Sequence, residues 1–217
     1  METLKLARAA IGKDDFAAAK EYYGTILDEN PKDLEAAWFY LFSVLVKDPV
    51  GKDTPKNYKM ISNLFYPTLE YIATFEESEE KHNLVFVMVK GFPQLKGAVK
   101  ESMLNLLVKD SSAIPTEEYG EFTITPEVDK GQLADRVLEI FGEDGPYCLL
   151  VVDIWKEQIA KRYRWSEYRN FQDKGKELWF DELAKKIKKY DPSYEMPQFK
   201  QAGCVSSGDA GKVKPGE

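Results

Sequence analysis

Residues 6–33 read LARAAIGKDDFAAAKEYYGTILDENPKD, two apolar stripes at helical spacing around a short polar interruption. On the near side, Leu4, Ala7 and Ile11 share one helical face, which predicts a helix over 2–12. Gly12 and Asp14 stop that helix and restart the chain, because Asp caps helix N-termini well. On the far side, Phe16, Ala19, Tyr23 and Ile26 recur with spacing 3-4-3 and predict a second helix over 15–28. Asn30-Pro31 ends it, since the residue before a proline is pushed out of the helical region. Two such helices joined by a tight turn form a pair with one apolar face left over, and that face must stack on a neighbour.

The neighbours follow in sequence. Leu34–Val46 is apolar nearly all round, which predicts a buried helix over 32–46. Its longest uncharged run, Ala36–Val46, has eleven residues, where a membrane span needs about 20. After a Pro- and Gly-containing loop at 47–56, Thr54-Pro55 opens a fourth helix carrying Tyr58, Ile61, Phe65 and Ile72, with a kink expected at Pro67. The acidic run Glu76–Glu80 suits a helix start, and the Leu84–Val89 run behind it fits a helix or a buried strand. Phe92–Asp110 gives a sixth helix with Leu95, Val99, Met103 and Leu106 on one face. Residues 111–127 hold two prolines, a glycine and the β-prone patch Phe122–Thr125. Helices are expected at 128–142, 146–168 and 173–190, with Pro146 at the first position of the middle one. The expected organisation is a helical region at 1–110, a linker or excursion at 111–127, a C-terminal helical region at 128–190 and a flexible tail at 191–217. The fold class is all-α, with antiparallel helix pairs stacked as a right-handed superhelix or a helical bundle.

Residues 1–33 resemble a tetratricopeptide repeat, the 34-residue helix–turn–helix unit. Ala7 falls where that family packs a small residue, Gly12–Asp15 with Phe16 at its inter-helix turn, and Ala19, Tyr23 and Pro31 at its small, aromatic and terminating positions. Leu34–Val46 resembles the first helix of a second unit, with Trp38 within one residue of the family's tryptophan. Thr3, Ala10 and Ile26 depart from the pattern, the 47–56 loop separates the helices of the second unit, and no third unit is legible. The resemblance covers residues 1–46 well and extends loosely to 75. It implies a concave surface that holds a peptide or partner helix, with Lys5, Arg8, Tyr40 and Ser43 facing it. The corresponding expectation is a non-enzymatic scaffold binding a protein or peptide, with homodimerisation compatible.

Charge and rare residues narrow the alternatives. Thirty basic against 37 acidic residues give a net charge of −7, which argues against duplex DNA as a partner. Residues 1–127 carry 14 Lys/Arg and 21 Asp/Glu, whereas 154–190 carry 11 and 6. Two cysteines and one histidine exclude a disulfide framework and His-rich metal sites, and the residues call for no metal or cofactor. The first residues lack a basic-then-apolar leader pattern, so a cytoplasmic protein without a transmembrane segment is expected. His82 lies among Glu76, Glu77, Glu79 and Glu80. Di-metal helical sites need two Glu-x-x-His pairs, so the cluster reads as a solvated helix start. Lys161–Arg169 (KRYRWSEYR) mixes cations with aromatics, the ingredients of single-stranded nucleic-acid or anionic-membrane binding. The alternative site is therefore Lys161, Arg162, Arg164, Trp165 and Arg169. Against it, Cys148, Val152, Trp155, Ile159 and Tyr163 form a core stripe on the same helix, leaving the cations as a solvated face. Cys148 is expected to be buried and Cys204 exposed in the tail. Phosphate-loop, dinucleotide, zinc-protease and nucleophile-elbow motifs are missing, which leaves a carboxylate-based enzyme as a third possibility.

Overall fold

A computed structural model describes residues 2–50, 53–109, 130–169 and 174–197 of the chain. Every regular element among the described residues is helical. The chain divides into two compact units, Met1–Val151 and Val152–Glu217.

In the first unit, α1 (Glu2–Gly12), α2 (Phe16–Glu29), α3 (Leu34–Lys47) and α4 (Thr54–Ala73) follow the sequence pattern closely. Side-chain caps set two of the starts: Asp15 accepts from the Ala18 amide at 3.1 Å and Asp33 from the Ala36 amide at 2.9 Å. Asp14, at φ 55°, takes the left-handed conformation that reverses the chain between α1 and α2, a conformation Asp adopts more readily than most residues. Each helix packs on the next, α1 on α2, α2 on α3 and α3 on α4. Ala7 and Ala19 are fully buried, and their small side chains suit close approach of the first pair. Trp38 is the hub of the core, edge-on to Phe39 at 4.8 Å and stacked on Phe42 at 5.2 Å. Pro67 lies within α4 and does not divide it.

The ambiguous Leu84–Val89 run is helical. α5 (Glu79–Phe86), capped by Ser78, passes into a π-helical turn at Val87–Gly91 and then into α6 (Phe92–Lys109). Pro93 supplies the reason: it has no N–H for the Val89 carbonyl, and its ring crowds that carbonyl. Just ahead of it the Phe92 amide bonds to the Val87 carbonyl, five residues back. α5 packs on α1 and α6 on α3. Phe92 stacks on Tyr58 at 5.6 Å and Phe65 at 5.3 Å, closing the aromatic core.

α7 (Lys130–Phe141) packs on α4, where Arg136 bonds Glu70 and Glu139. Residues 130–151 thus belong to the first compact unit, and the division falls inside α8 (Cys148–Arg169) at Val151–Val152. The expected linker at 111–127 lies outside the described residues. α8 begins at Cys148, two residues after Pro146, because the chain still turns at 143–147. Cys148 is half-buried rather than buried, while Val152, Trp155 and Ile159 fill the predicted stripe.

The second unit comprises the rest of α8 and α9 (Lys174–Tyr190), with Phe180, Leu183, Ala184 and Ile187 buried. At the start of the expected tail, Asp191 and Tyr194 contact α8: Lys156 bonds Asp191 at 2.7 Å and lies 5.6 Å over the Tyr194 ring. The Ser193 hydroxyl and amide both donate to Asp191, fixing the turn. Apolar carbon in Tyr194 and a charge-assisted bond supply what the polar composition of this stretch concealed.

Candidate functional site

The four residues expected on a concave face do not share one surface. Lys5 is exposed. Arg8 turns inward: its Nε and Nη2 donate to the two carboxylate oxygens of Glu35 at 2.9 and 2.7 Å, and its guanidinium lies 4.7 Å over the Phe75 ring. The Tyr23 hydroxyl donates to the same carboxylate at 2.9 Å. Glu35 is only 2% exposed, in the first turn of α3, where the helix dipole favours a carboxylate. Its hydrogen bond with Glu35 raises the Arg8 guanidinium above its ordinary range, and burial, aided by the Glu35 charge, pushes the Tyr23 hydroxyl up. The cluster ties α1, α2 and α3 to the residues leading into α5. Ser43 is fully buried, and its hydroxyl, like the Trp38 Nε1, has no hydrogen-bond partner among the described residues. Tyr40 is half-buried against Gly24, where a Cβ would meet its ring at 3.5 Å. Arg8 and Ser43 are therefore packing residues, not groove contacts, because α5 and α6 pack against α1 and α3. Of the alternative site, Lys161 is exposed. The side chains of Arg162, Arg164, Trp165 and Arg169 lie outside the described residues.

His82 belongs to a brace around Tyr147. Its ring stacks on Tyr147 at 5.0 Å, and its Nδ1 is 2.9 Å from the Ser78 carbonyl. Tyr147 donates to Glu77 at 3.1 Å, and Lys81, 4% exposed, donates to Glu77 at 2.6 Å and to the Ala73 and Phe75 carbonyls at 3.1 and 2.8 Å. Lys81 thereby caps the C-terminal end of α4. Its hydrogen bond holds the Glu77 carboxyl below the ordinary range, and burial pushes the Tyr147 hydroxyl up. Among the described residues no group of three or more His, Cys, Asp or Glu is placed to hold a metal ion.

Open space lies elsewhere, where α3 ends beside the π-helical turn. A groove of about 450 Å³ is lined there by Phe42 and Leu45 from α3, Phe16 from α2, Phe86 and Gly91 around the wide turn, and Leu95 from α6. Gly91 permits the close approach of that wall, since a Cβ would stand 3.2 Å from the Phe42 ring. Phe16 meets Phe42 edge-on at 5.6 Å. Phe86, in the lining, is 53% exposed. The charged groups of the lining are Asp14 and Lys90. Small-molecule sites reach this volume, but they carry convergent polar groups. This lining can bury side chains. These apolar residues escaped sequence reasoning because five separate elements bring them together. The available signal was Phe92-Pro93 behind an apolar run, which marks a disturbed helix.

No helix among the described residues is long and apolar enough to cross a membrane. No family model, curated protein or solved structure matches the chain.

Proposed function

We propose that this protein is a non-enzymatic, tetratricopeptide-like interaction module that takes an apolar segment of a protein partner into the groove beside the π-helical turn. The single observation carrying this reading is an open apolar groove with an exposed phenylalanine in its lining, built on helices. Supporting it, wide π turns recur at functional sites, and helix-in-groove recognition needs just such an apolar slot for a few anchoring side chains. The serial packing of α1–α2 and α3–α4 agrees with stacked repeat units. Because α5 and α6 cover α1 and α3, the docking place moves from the repeat's concave face to this corner.

A photo-reactive benzoylphenylalanine at Gln94, in the groove lining, tests the reading against the same probe at exposed Lys59 on α4. Discrete polypeptide adducts are expected from Gln94 alone, and they should vanish when Leu95 is replaced by Glu. Identical adducts from both positions, or none from Gln94, would overturn it.

A further inference from the structure

We infer that the groove selects a planar aromatic ring that carries an N–H donor, so that the anchor of the partner segment is a tryptophan side chain held by Asp14. This rests on reading the groove as a docking site for a protein and names the chemistry of its partner.

Two features of the lining converge on that ring. Three phenylalanines, Phe16, Phe42 and Phe86, reach the groove from three different helices. Phe16 and Phe42 already meet edge-on at 5.6 Å, and rings gain from such edge-on or offset neighbours beyond what burial alone supplies. That gain amounts to about 2- to 12-fold in affinity over an aliphatic group of equal area. A volume of about 450 Å³ admits a two-ring side chain, since sites of this size take drug-sized ligands. The second feature is an acceptor. Asp14, exposed on the α1–α2 turn, stands in the same lining. A carboxylate only accepts hydrogen bonds, and Lys90, the other charged group, already interacts within the chain. A ring buried here is therefore favoured when it brings its own donor. Among side chains the indole joins the largest π face to a group that only donates. Leucine would fill the groove without the ring contacts, and phenylalanine would make them without answering Asp14.

Indole and benzofuran, titrated separately into the full chain and followed through the amide resonances of Gly91 and Gln94, test the donor. The two probes share a shape and differ in the N–H. Indole is expected to bind with a dissociation constant about tenfold lower, the low end of what a hydrogen bond to a charged group supplies. Cyclohexanol, a donor without a π face, should bind more weakly than indole. Asp14→Gly removes the carboxylate while suiting the left-handed backbone there, at φ 55°. In that variant the preference for indole should disappear and benzofuran should bind as before, which also shows that the groove is intact. Equal binding of indole and benzofuran to the wild-type chain, a preference that survives in D14G, or cyclohexanol binding as tightly as indole overturns the proposal. Indole should also suppress the polypeptide adducts captured from Gln94. If those adducts form and indole neither binds nor suppresses them, the tryptophan anchor is refuted and the groove reading stands. If Gln94 captures nothing, the groove reading falls and the anchor falls with it.

Discussion

Replacing Arg8 by Met gives the sharpest test of how the first unit is held together. Glu35 is 2% exposed and accepts both Arg8 nitrogens and the Tyr23 hydroxyl. Methionine keeps much of the side-chain volume over Phe75 while leaving the carboxylate with Tyr23 alone. Stranding one partner of a buried ion pair costs about 3–5 kcal/mol. The expected loss lies in that range. Urea unfolding measures it, followed through Trp38, the one tryptophan in Met1–Val151, with the other three replaced by Phe. With a slope near 2 kcal/mol/M, the midpoint should drop by about 2 M. A companion variant carrying R8M, E35L and Y23F removes all three polar groups and should lose less than R8M alone. An unchanged midpoint in R8M, or a triple variant worse than the single, would refute the argument.

Three further outcomes are expected. Ala19→Leu should over-pack the α1–α2 contact, where Ala19 is fully buried, and cost about 1–3 kcal/mol in the same urea assay. An unchanged midpoint would mean that the pair relaxes freely. Lys81→Met should leave the Ala73 and Phe75 carbonyls without their donor and cost about 1–3 kcal/mol. Hydrogen exchange should then quicken at the end of α4 before it does in α3, and uniform acceleration would count against a local cap. Above pH 10 the unfolded chain ionises its tyrosines while Tyr23, raised in the fold, holds its proton. The unfolded state then binds fewer protons, so stability should fall by up to about 1.4 kcal/mol per pH unit from this residue. Tyr23→Phe should flatten that slope between pH 10 and 12, and an unaltered slope would assign the loss to other groups.

The part of the fold legible in the sequence is the part set by local chemistry. α1, α2 and α3 begin and end within two residues of the expected positions, because Asp15, Asp33 and Asn30-Pro31 act on their own few neighbours. The all-α class followed from the same spacing. Arg8 was misplaced for the opposite reason: its partner Glu35 is 27 residues away, and no periodicity reports which face a later helix will cover. Ser43 shows the same limit, since α3 is apolar nearly all round and offers no outward side to read. The groove was hidden more deeply. It depends on a wide turn whose only trace is a proline at 93, one residue past the Gly91-Phe92 pair.

That wide turn amounts to one extra residue in an otherwise regular rod. An α-helix advances about 100° per residue, so a chain lacking one residue between Val87 and Gly91 would keep α5 and α6 in their present phase with the bulge healed. Relaxing the turn at constant length would instead twist α6 by about 100° and pull Phe92 away from Tyr58 and Phe65. The aromatic cluster thus keeps the rod out of true. The shape of the groove wall is consequently a matter of residue count as well as residue identity. Deleting Met88 separates the two: the helicity of the chain should be unchanged while the groove wall around Phe86 and Gly91 changes shape.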